Sequence, residues 1–448
     1  MNRKTLTALA LFGILGVIAA FVLRQPQKGE RVGERPRPLP KIASGSFDTL
    51  AVTKAGTTTV ITKQGDTYKV TAPVQYPADE NVAKQAFESL EKLEFGDTVT
   101  EQKAKHAEFE LADNSALRVV GRKGDQVVVD LLVGKSVGGN TLVRLPGKDE
   151  VWQGIGSFRY NFDRDTSNWR DKTILKFTQG DVEKIALEGK DGARVVVKAD
   201  KPGDDKWSVV ESTVKIDKLD TTVPTGIASL LSNWVTNDFA DGAKPEESGL
   251  DHPGTKVVVS LKGGKSVTAL VGNKKGTEDY FVKQGDSPQV FLVKRYNVDR
   301  IDKRPIDFRD KTLCDIGEPD LGEIVVAHDK DSYTLVKGAK PGDWKASKPA
   351  GFVPDPTKVT PLTTSFKDYK AVGFTDDQSL KANGLVKPKA TLTARSKDGK
   401  RVCVLKIGDE AKDKINYAVE IGTAPEVYLG PKWSIDRYLA KLDDLKKK

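Results

Sequence analysis

The chain writes one pattern three times, and that period limits what it can fold into more than any other feature. "YNFDR" ends at Arg164, "YNVDR" at Arg300 and "WSIDR" at Arg437, steps of 136 and 137 residues. Other landmarks keep the register. A Val/Ile-Gly pair recurs at Val133-Gly134, Val271-Gly272 and Ile407-Gly408, and a Val-aromatic pair at Val151-Trp152, Val290-Phe291 and Val427-Tyr428. An aromatic after a charged turn recurs at Tyr68, Trp207 and Trp344, and a loop leucine at Leu111, Leu250 and Leu385. Five landmarks in step are a repeated folding unit, not a chance match. At 448 residues the chain is too long for a single core, and the period divides it into three like domains.

Within each copy, period-2 stretches such as "TTTVITKQGDTYKVTAP" and "ARVVVKADKPGDDKWSVV" predict opening strands joined by tight turns. A helix follows: Val82, Phe87, Leu90 and Leu93 fall on one side in the first copy, Ile227, Leu230, Leu231 and Trp234 in the second, Val359, Leu362, Phe366 and Tyr369 in the third. The second halves, "ALRVVGRKGDQVVVDLLVG", "TKVVVSLKGGKSVTALVG" and "ATLTARSKDGKRVCVLKIG", are β-branched runs broken by glycine turns, hence antiparallel hairpins. The expected class is α+β: three tandem homologous domains, each a mainly antiparallel sheet with one packed helix and a short C-terminal helix.

Ahead of the repeats, Arg3 and Lys4 precede an uncharged run from Thr5 to Leu23. About 18–20 apolar residues suffice to span a bilayer, whereas the apolar part of a cleaved signal is usually about 7–15. Both readings stay open, and the length favours an uncleaved anchor. The Lys/Arg bias after the run argues for a cytoplasmic body, but long downstream domains cross largely regardless of charge. We therefore expect residues 1–23 to be an inner-membrane anchor and 24–46, with four prolines, an extended linker. Repeat domains are then expected at 47–176, 177–316 and 317–448, with their bulk in the periplasm.

The net charge of +9 invites nucleic acid as a partner, yet eight Lys/Arg against Glu30 and Glu34 fall in the first 46 residues, leaving +3 for the rest. A balanced body lacks the basic face that phosphate binding needs. Cys314 and Cys403 are too few for a disulfide framework or a metal motif, though one bridge is open to them. His106, His252 and His328 fall at unrelated places in the repeat. "GKSVG" at 134–138 matches a nucleophile elbow only in letters, since its sister stretches read "GNKKG" and "GDEAK", and it predicts a hairpin turn. "GGKS" at 263–266 lacks the leading glycine of a phosphate loop, because Val259 stands there. The expectation is no catalytic residue, no cofactor and no metal.

Two charged signatures remain. Asp163-Arg164, Asp299-Arg300 and Asp436-Arg437 are present in every copy and predict an ion pair or cap at the last helix. Arg170-Asp171 and Arg309-Asp310 open the repeated tetrapeptide Arg-Asp-Lys-Thr, which follows the first two copies only, as a connector between domains would.

The series of repeat aromatic, helix, Gly-Leu loop, Val-Gly strand end, Val-aromatic pair, Asp-Arg and Arg-Asp resembles a bacterial family of unknown function often encoded beside Gld-type ABC transporters, the group named for gliding motility. The first copy departs from it with "FELAD" in place of the Gly-Leu loop. The resemblance implies a cell-envelope protein working with an ABC-type transport or motility complex and brings no catalytic residues. The expected function is a membrane-anchored scaffold or accessory subunit. The alternative is a polysaccharide- or peptidoglycan-binding module, whose mark would be an exposed Trp or Tyr repeated in the copies.

Overall fold

The computed structural model describes residues 37–446, apart from 286, 329, 330, 341, 368 and 423–425. The expected anchor, 1–23, and most of the linker, 24–46, lie outside the described residues. Among those described, no helix is long and apolar enough to cross a membrane, which says nothing of a β-barrel.

The chain forms two compact units that divide after Lys172. The first is built on β1 (Thr49–Lys54), β2 (Thr57–Gln64), β3 (Thr67–Ala72), β4 (Tyr76–Pro77), β5 (Phe95–Thr100), β6 (Leu117–Lys123), β7 (Gln126–Val137), β8 (Asn140–Arg144) and β9 (Val151–Gly154). Their order across the sheet is β4-β3-β2-β1-β6-β7-β8-β9-β5, antiparallel throughout. Two meanders thus meet at β1 and β6. Between them the chain leaves one edge, runs as the helix Glu80–Glu91 and returns at the opposite edge as β5.

That helix starts where the Asp79 carboxylate accepts from the backbone N–H of Asn81 and Val82, each at 3.0 Å. Ala83, Ala86, Phe87 and Leu90, spaced to share one side, pack on Leu50, Val52, Val119, Leu131 and Val133 of the sheet. Alternation sends Leu132 to the other face, where it joins Leu111, Leu142 and Val151 in a smaller core.

The second unit contains two eight-stranded sheets with the same order. One runs Trp207–Ser212, Arg194–Ala199, Val182–Gly189, Thr255–Leu261, Ser266–Lys275, Asp279–Gln284, Val290–Lys294, Asp238–Phe239. The other runs Trp344–Lys348, Asp331–Lys337, Leu321–His328, Ala390–Ser396, Val402–Glu410, Asn416–Ile421, Val427–Pro431, Gly373–Phe374. Mainly antiparallel repeated sheets with few helices are the architecture the periodicity predicted.

One contact explains the Val/Ile-Gly landmark. A Cβ on Gly134, Gly272 or Gly408 would lie only 2.3, 2.1 and 2.1 Å from the carbonyl oxygens of Phe109, Ser248 and Asn383. The loop carrying Leu111, Leu250 or Leu385 presses on the strand there and plugs the smaller core, so only glycine fits. "FELAD" in the first copy does the same work as the Gly-Leu loops of its sisters.

Three expectations change. Trp234 and Tyr369 lie beyond the helices Thr222–Ser232 and Pro356–Thr363, in the short strands Asn233–Val235 and Tyr369–Lys370. The reason is that these strands pair with Thr173–Lys176 and Thr312–Cys314. Those partners had been expected to end the preceding domains at 176 and 316, but their hydrogen bonds run forward into the next repeat. The third change concerns the tetrapeptide. Arg170 bridges Ala78, Arg309 bridges Leu219, and Lys446 bridges Pro354 in the same manner. In each copy a buried residue just before, Trp169, Phe308 or Leu445, accepts through its carbonyl from the N–H of the helix-capping Asp79, Asp220 or Asp355. The third copy therefore keeps the closing contact with other letters, and the closure belongs to the repeat, not only to connectors.

Candidate functional site

After the last sheet strand, or in the first copy after a short loop beyond it, each repeat makes a single helical turn: Arg159–Asn161, Arg295–Val298 and Lys432–Ile435. Aligned, they read basic, aromatic, small polar, apolar, Asp, Arg. The apolar residue is the anchor, for Phe162, Val298 and Ile435 are fully buried. The small polar residue turns inward in two copies: Asn161 donates to Ser89 Oγ at 2.6 Å, and Ser434 Oγ lies 3.0 Å from the Tyr369 hydroxyl and donates to the Pro431 carbonyl at 2.9 Å. With those positions held, the aromatic one step earlier faces water. Tyr160 is 58 % exposed, Tyr296 64 % and Trp433 70 %.

A single exposed ring is ordinary surface. The same ring position left in water three times is a repeated feature of the unit, while neighbouring surface positions vary freely, as in Ser136, Lys274 and Glu410 two residues past the landmark glycines. Burial of such a side chain is worth about 1.5–3 kcal/mol, which each copy forgoes here.

The flanking charges differ between copies. Arg159 pairs with Asp163 at 3.0 Å and Glu110 at 2.8 Å, and Lys54 also reaches Asp163 at 3.1 Å. Partial burial works to raise the Asp163 pKa, but the hydrogen bonds from Lys54 and Arg159 outweigh it and hold the carboxyl below its ordinary value. Arg295 pairs with Asp299 at 3.4 Å, and Arg300 donates to the Gly226 carbonyl. In the third copy Lys432 reaches Glu410 at 2.8 Å, which raises the lysine pKa. Asp436 there accepts from the Tyr417 hydroxyl at 2.9 Å, and the Arg437 guanidinium lies 5.2 Å from the Trp433 ring. Asp163, Asp299 and Asp436 each bond a residue other than the Arg beside it.

Beside the third turn is a cleft of about 260 Å³. Phe374 and Leu429 form its apolar side, and Asp376, Asp377, Asp409, Glu410 and Asp413 outnumber Lys412 on the rest.

The Arg-Asp signature holds structure. Arg170 is buried with its guanidinium 4.3 Å from the Tyr76 ring, and the Asp171 N–H donates to the Pro77 carbonyl. Arg309 donates to the Lys215 carbonyl and pairs with Glu426 at 2.7 Å, tying the second sheet's end to the third sheet. Asp310 accepts from the Thr312 N–H and hydroxyl and pairs with Lys218.

The residues considered for chemistry lie apart. His106 is buried against the Asp149 carbonyl, His252 is exposed, and His328 lies 3.4 Å from the Ala440 carbonyl. Ser136 lies in β7, paired with Thr141 across the hairpin whose turn is Gly138-Gly139 rather than 134–138, and its hydroxyl is 3.4 Å from the Thr141 hydroxyl. Cys314 and Cys403, left open by the sequence, form a disulfide. Among the described residues no group of three or more His, Cys, Asp or Glu is placed to hold a metal ion. The sequence landmarks included the aromatic of this turn but overlooked the basic residue before it; Arg159, Arg295 and Lys432 standing in register were the signal that could have marked the turn as a site.

Comparison with known proteins gives a family and no activity. The family described as "Domain of unknown function (DUF4340)" matches residues 69–253 and, overlapping, 227–388. No curated protein matches. Among solved structures, the β subunit from DNA polymerase of Streptococcus pyogenes is 8% identical over 88% of this chain and 94% of its own, with a TM-score of 0.14. The DNA polymerase III subunit β from Pseudomonas aeruginosa is 8% identical over 87% and 94%, with a TM-score of 0.12. The chain belongs to the DUF4340 family.

Proposed function

We propose that this DUF4340 protein is a non-catalytic extracytoplasmic scaffold or accessory subunit, held at the bacterial inner membrane by its N-terminal segment. Its repeats each offer the same aromatic turn to an envelope partner, for which an ABC-type transport or gliding-motility complex is our choice. The observation that carries the reading is the recurrence of Tyr160, Tyr296 and Trp433, exposed at one position of a repeated unit. Rigid aromatic side chains are favoured anchors in recognition because they offer much contact area at little entropic cost. The Cys314–Cys403 disulfide supports an oxidising compartment.

A photo-crosslinking residue at each of the three positions, in cells, should capture one membrane protein. Replacing all three aromatics by Ala should abolish function while the fold is kept. A triple variant with full function would overturn the reading. Mass spectrometry of the mature N-terminus and protease accessibility in spheroplasts test the topology; a chain beginning near residue 21, or a protected body, speaks against it.

The second reading, a polysaccharide- or peptidoglycan-binding module, is favoured by the same exposed rings, which are the mark expected of such a module. Its test is co-sedimentation of the protein with insoluble envelope glycan, compared with the triple variant.

A further inference from the structure

We infer that the third repeat carries a binding site for a glycan chain whose sugars bear no acidic group, with Trp433 as its stacking platform and the adjoining cleft as its polar side. The inference rests on the glycan-binding reading above and assigns it a place and a ligand class.

Four observations meet at this turn. Trp433 is 70 % exposed, whereas Trp169, Trp207, Trp234 and Trp344 are all buried. An indole is the largest flat apolar surface a side chain offers, and the C–H face of a pyranose ring is its natural complement. Second, the base beneath the ring is rigid. Ile435 is fully buried, Ser434 is held by Tyr369 and Pro431, and the Lys432 N–H donates to the Ile415 carbonyl at 3.0 Å. A platform so held loses little freedom when a ligand stacks on it.

Third, the turn is tied to the cleft through the Lys432–Glu410 pair. At about 260 Å³ the cleft is just below the size of ordinary small-molecule sites, which suits a sugar residue better than a folded partner. Its carboxylates are held in place by Arg304, Lys389, Lys432 and backbone N–H groups, and their remaining lone pairs with the Asn383 side-chain oxygen can accept from hydroxyl groups. Fourth, the charge selects. Two residues beyond the landmark glycine, the sister copies carry Ser136 and Lys274 where the third carries Glu410. At that position only the third repeat carries a carboxylate, and the five carboxylates of the lining face four cations, Lys412 and the pairing Arg304, Lys389 and Lys432, so one negative charge stays in excess and disfavours sugars that carry an acidic group.

The test uses the full chain in detergent, titrated with hexamers of N-acetylglucosamine, glucose and mannose, and with oligogalacturonate as the acidic counterpart. Binding is followed by calorimetry and tryptophan emission. We expect at least one neutral hexamer to saturate with an emission change, oligogalacturonate to bind at least about tenfold more weakly, and Trp433→Ala to lose about tenfold or more of the neutral affinity. Trp433→Tyr should keep most of it, and Glu410→Gln should narrow the gap between neutral and acidic ligands. Unchanged far-UV circular dichroism checks that the variants fold. If no neutral hexamer binds the wild type, the inference and the glycan reading both fall. If Tyr160→Ala and Tyr296→Ala lose affinity while Trp433→Ala does not, the reading stands and the third-repeat assignment falls. Equal binding of oligogalacturonate overturns the ligand class.

Discussion

The first and third repeats share a frame and differ in almost everything laid over it. Both close with a buried residue accepting from the helix-capping Asp, Trp169 in one and Leu445 in the other. Both press a leucine loop on a glycine and pin the aromatic turn with a fully buried apolar side chain. Yet Arg159 of the first spends its charge on Asp163 and Glu110, while Lys432 of the third reaches across to Glu410 on a cleft. The third also holds the disulfide. The lesson is that packing fixes the positions that recur, and specificity is free to enter at the positions that packing leaves in water.

The comparison breaks most sharply at the closing residue. Trp169 is fully buried at the end of the first repeat, so Trp169→Ala should cost about 3–5 kcal/mol by lost burial and cavity formation. Leu445→Ala removes a smaller side chain and should cost less, about 2–3 kcal/mol. Hydrogen exchange read segment by segment gives both values; protection should fall within 37–172 for the first variant and within the third sheet for the second. Equal losses would mean that closure does not depend on the size of the plug.

A second difference can be removed outright. The bond between Cys314 and Cys403 closes a loop of sequence separation 89, and such a cross-link contributes roughly 2–4 kcal/mol, largely by constraining the unfolded chain. Cys314→Ser with Cys403→Ser should lower denaturant resistance of the third sheet by about that amount and leave 37–172 unchanged. A fall in the first unit would show that the repeats do not melt separately.

Much of this frame was legible in the sequence because it is written in apolar period and glycine. Val133-Gly134 and its sisters announced a shared constraint, although the carbonyl that imposes it lies some two dozen residues earlier in the chain and could not be named. The seams were misplaced because Thr173–Lys176 and Thr312–Cys314 are three- to four-residue strands, too short to show which neighbour they join. Leu445-Lys446 escaped notice as a closing pair because the contact is made by backbone and a buried side chain, which other letters satisfy. The aromatic turn was visible as "YNFDR", "YNVDR" and "WSIDR", but letters alone do not say which way a ring points. Exposure is settled by the neighbours that bury Phe162, Val298 and Ile435.

The smallest expected effect is also the most specific. At the position where helical spacing placed Leu93, Trp234 and Tyr369, only the third copy has a group that ionises. Burial pushes the Tyr369 hydroxyl up to about 12, against a lesser opposing effect of its hydrogen bond with Ser434. In the unfolded chain the same group ionises near 10. The folded state therefore keeps a proton that the unfolded state releases between those values. The stabilisation is complete below pH 10 and is lost as pH rises toward 12. Near pH 11 the loss should amount to about 1 kcal/mol. Tyr68, Tyr417 and Tyr428 shift upward too, burial being the first cause in each, so the whole protein weakens in alkali and the informative quantity is a difference. Tyr369→Phe should start about 1 kcal/mol less stable at neutral pH, having lost the hydroxyl's hydrogen bond, and should then converge on the wild type between pH 10 and 11 in the exchange protection of the third sheet. Parallel curves for the two proteins across that range would show that Tyr369 is as open to water folded as unfolded, and the third core would then be looser than the first.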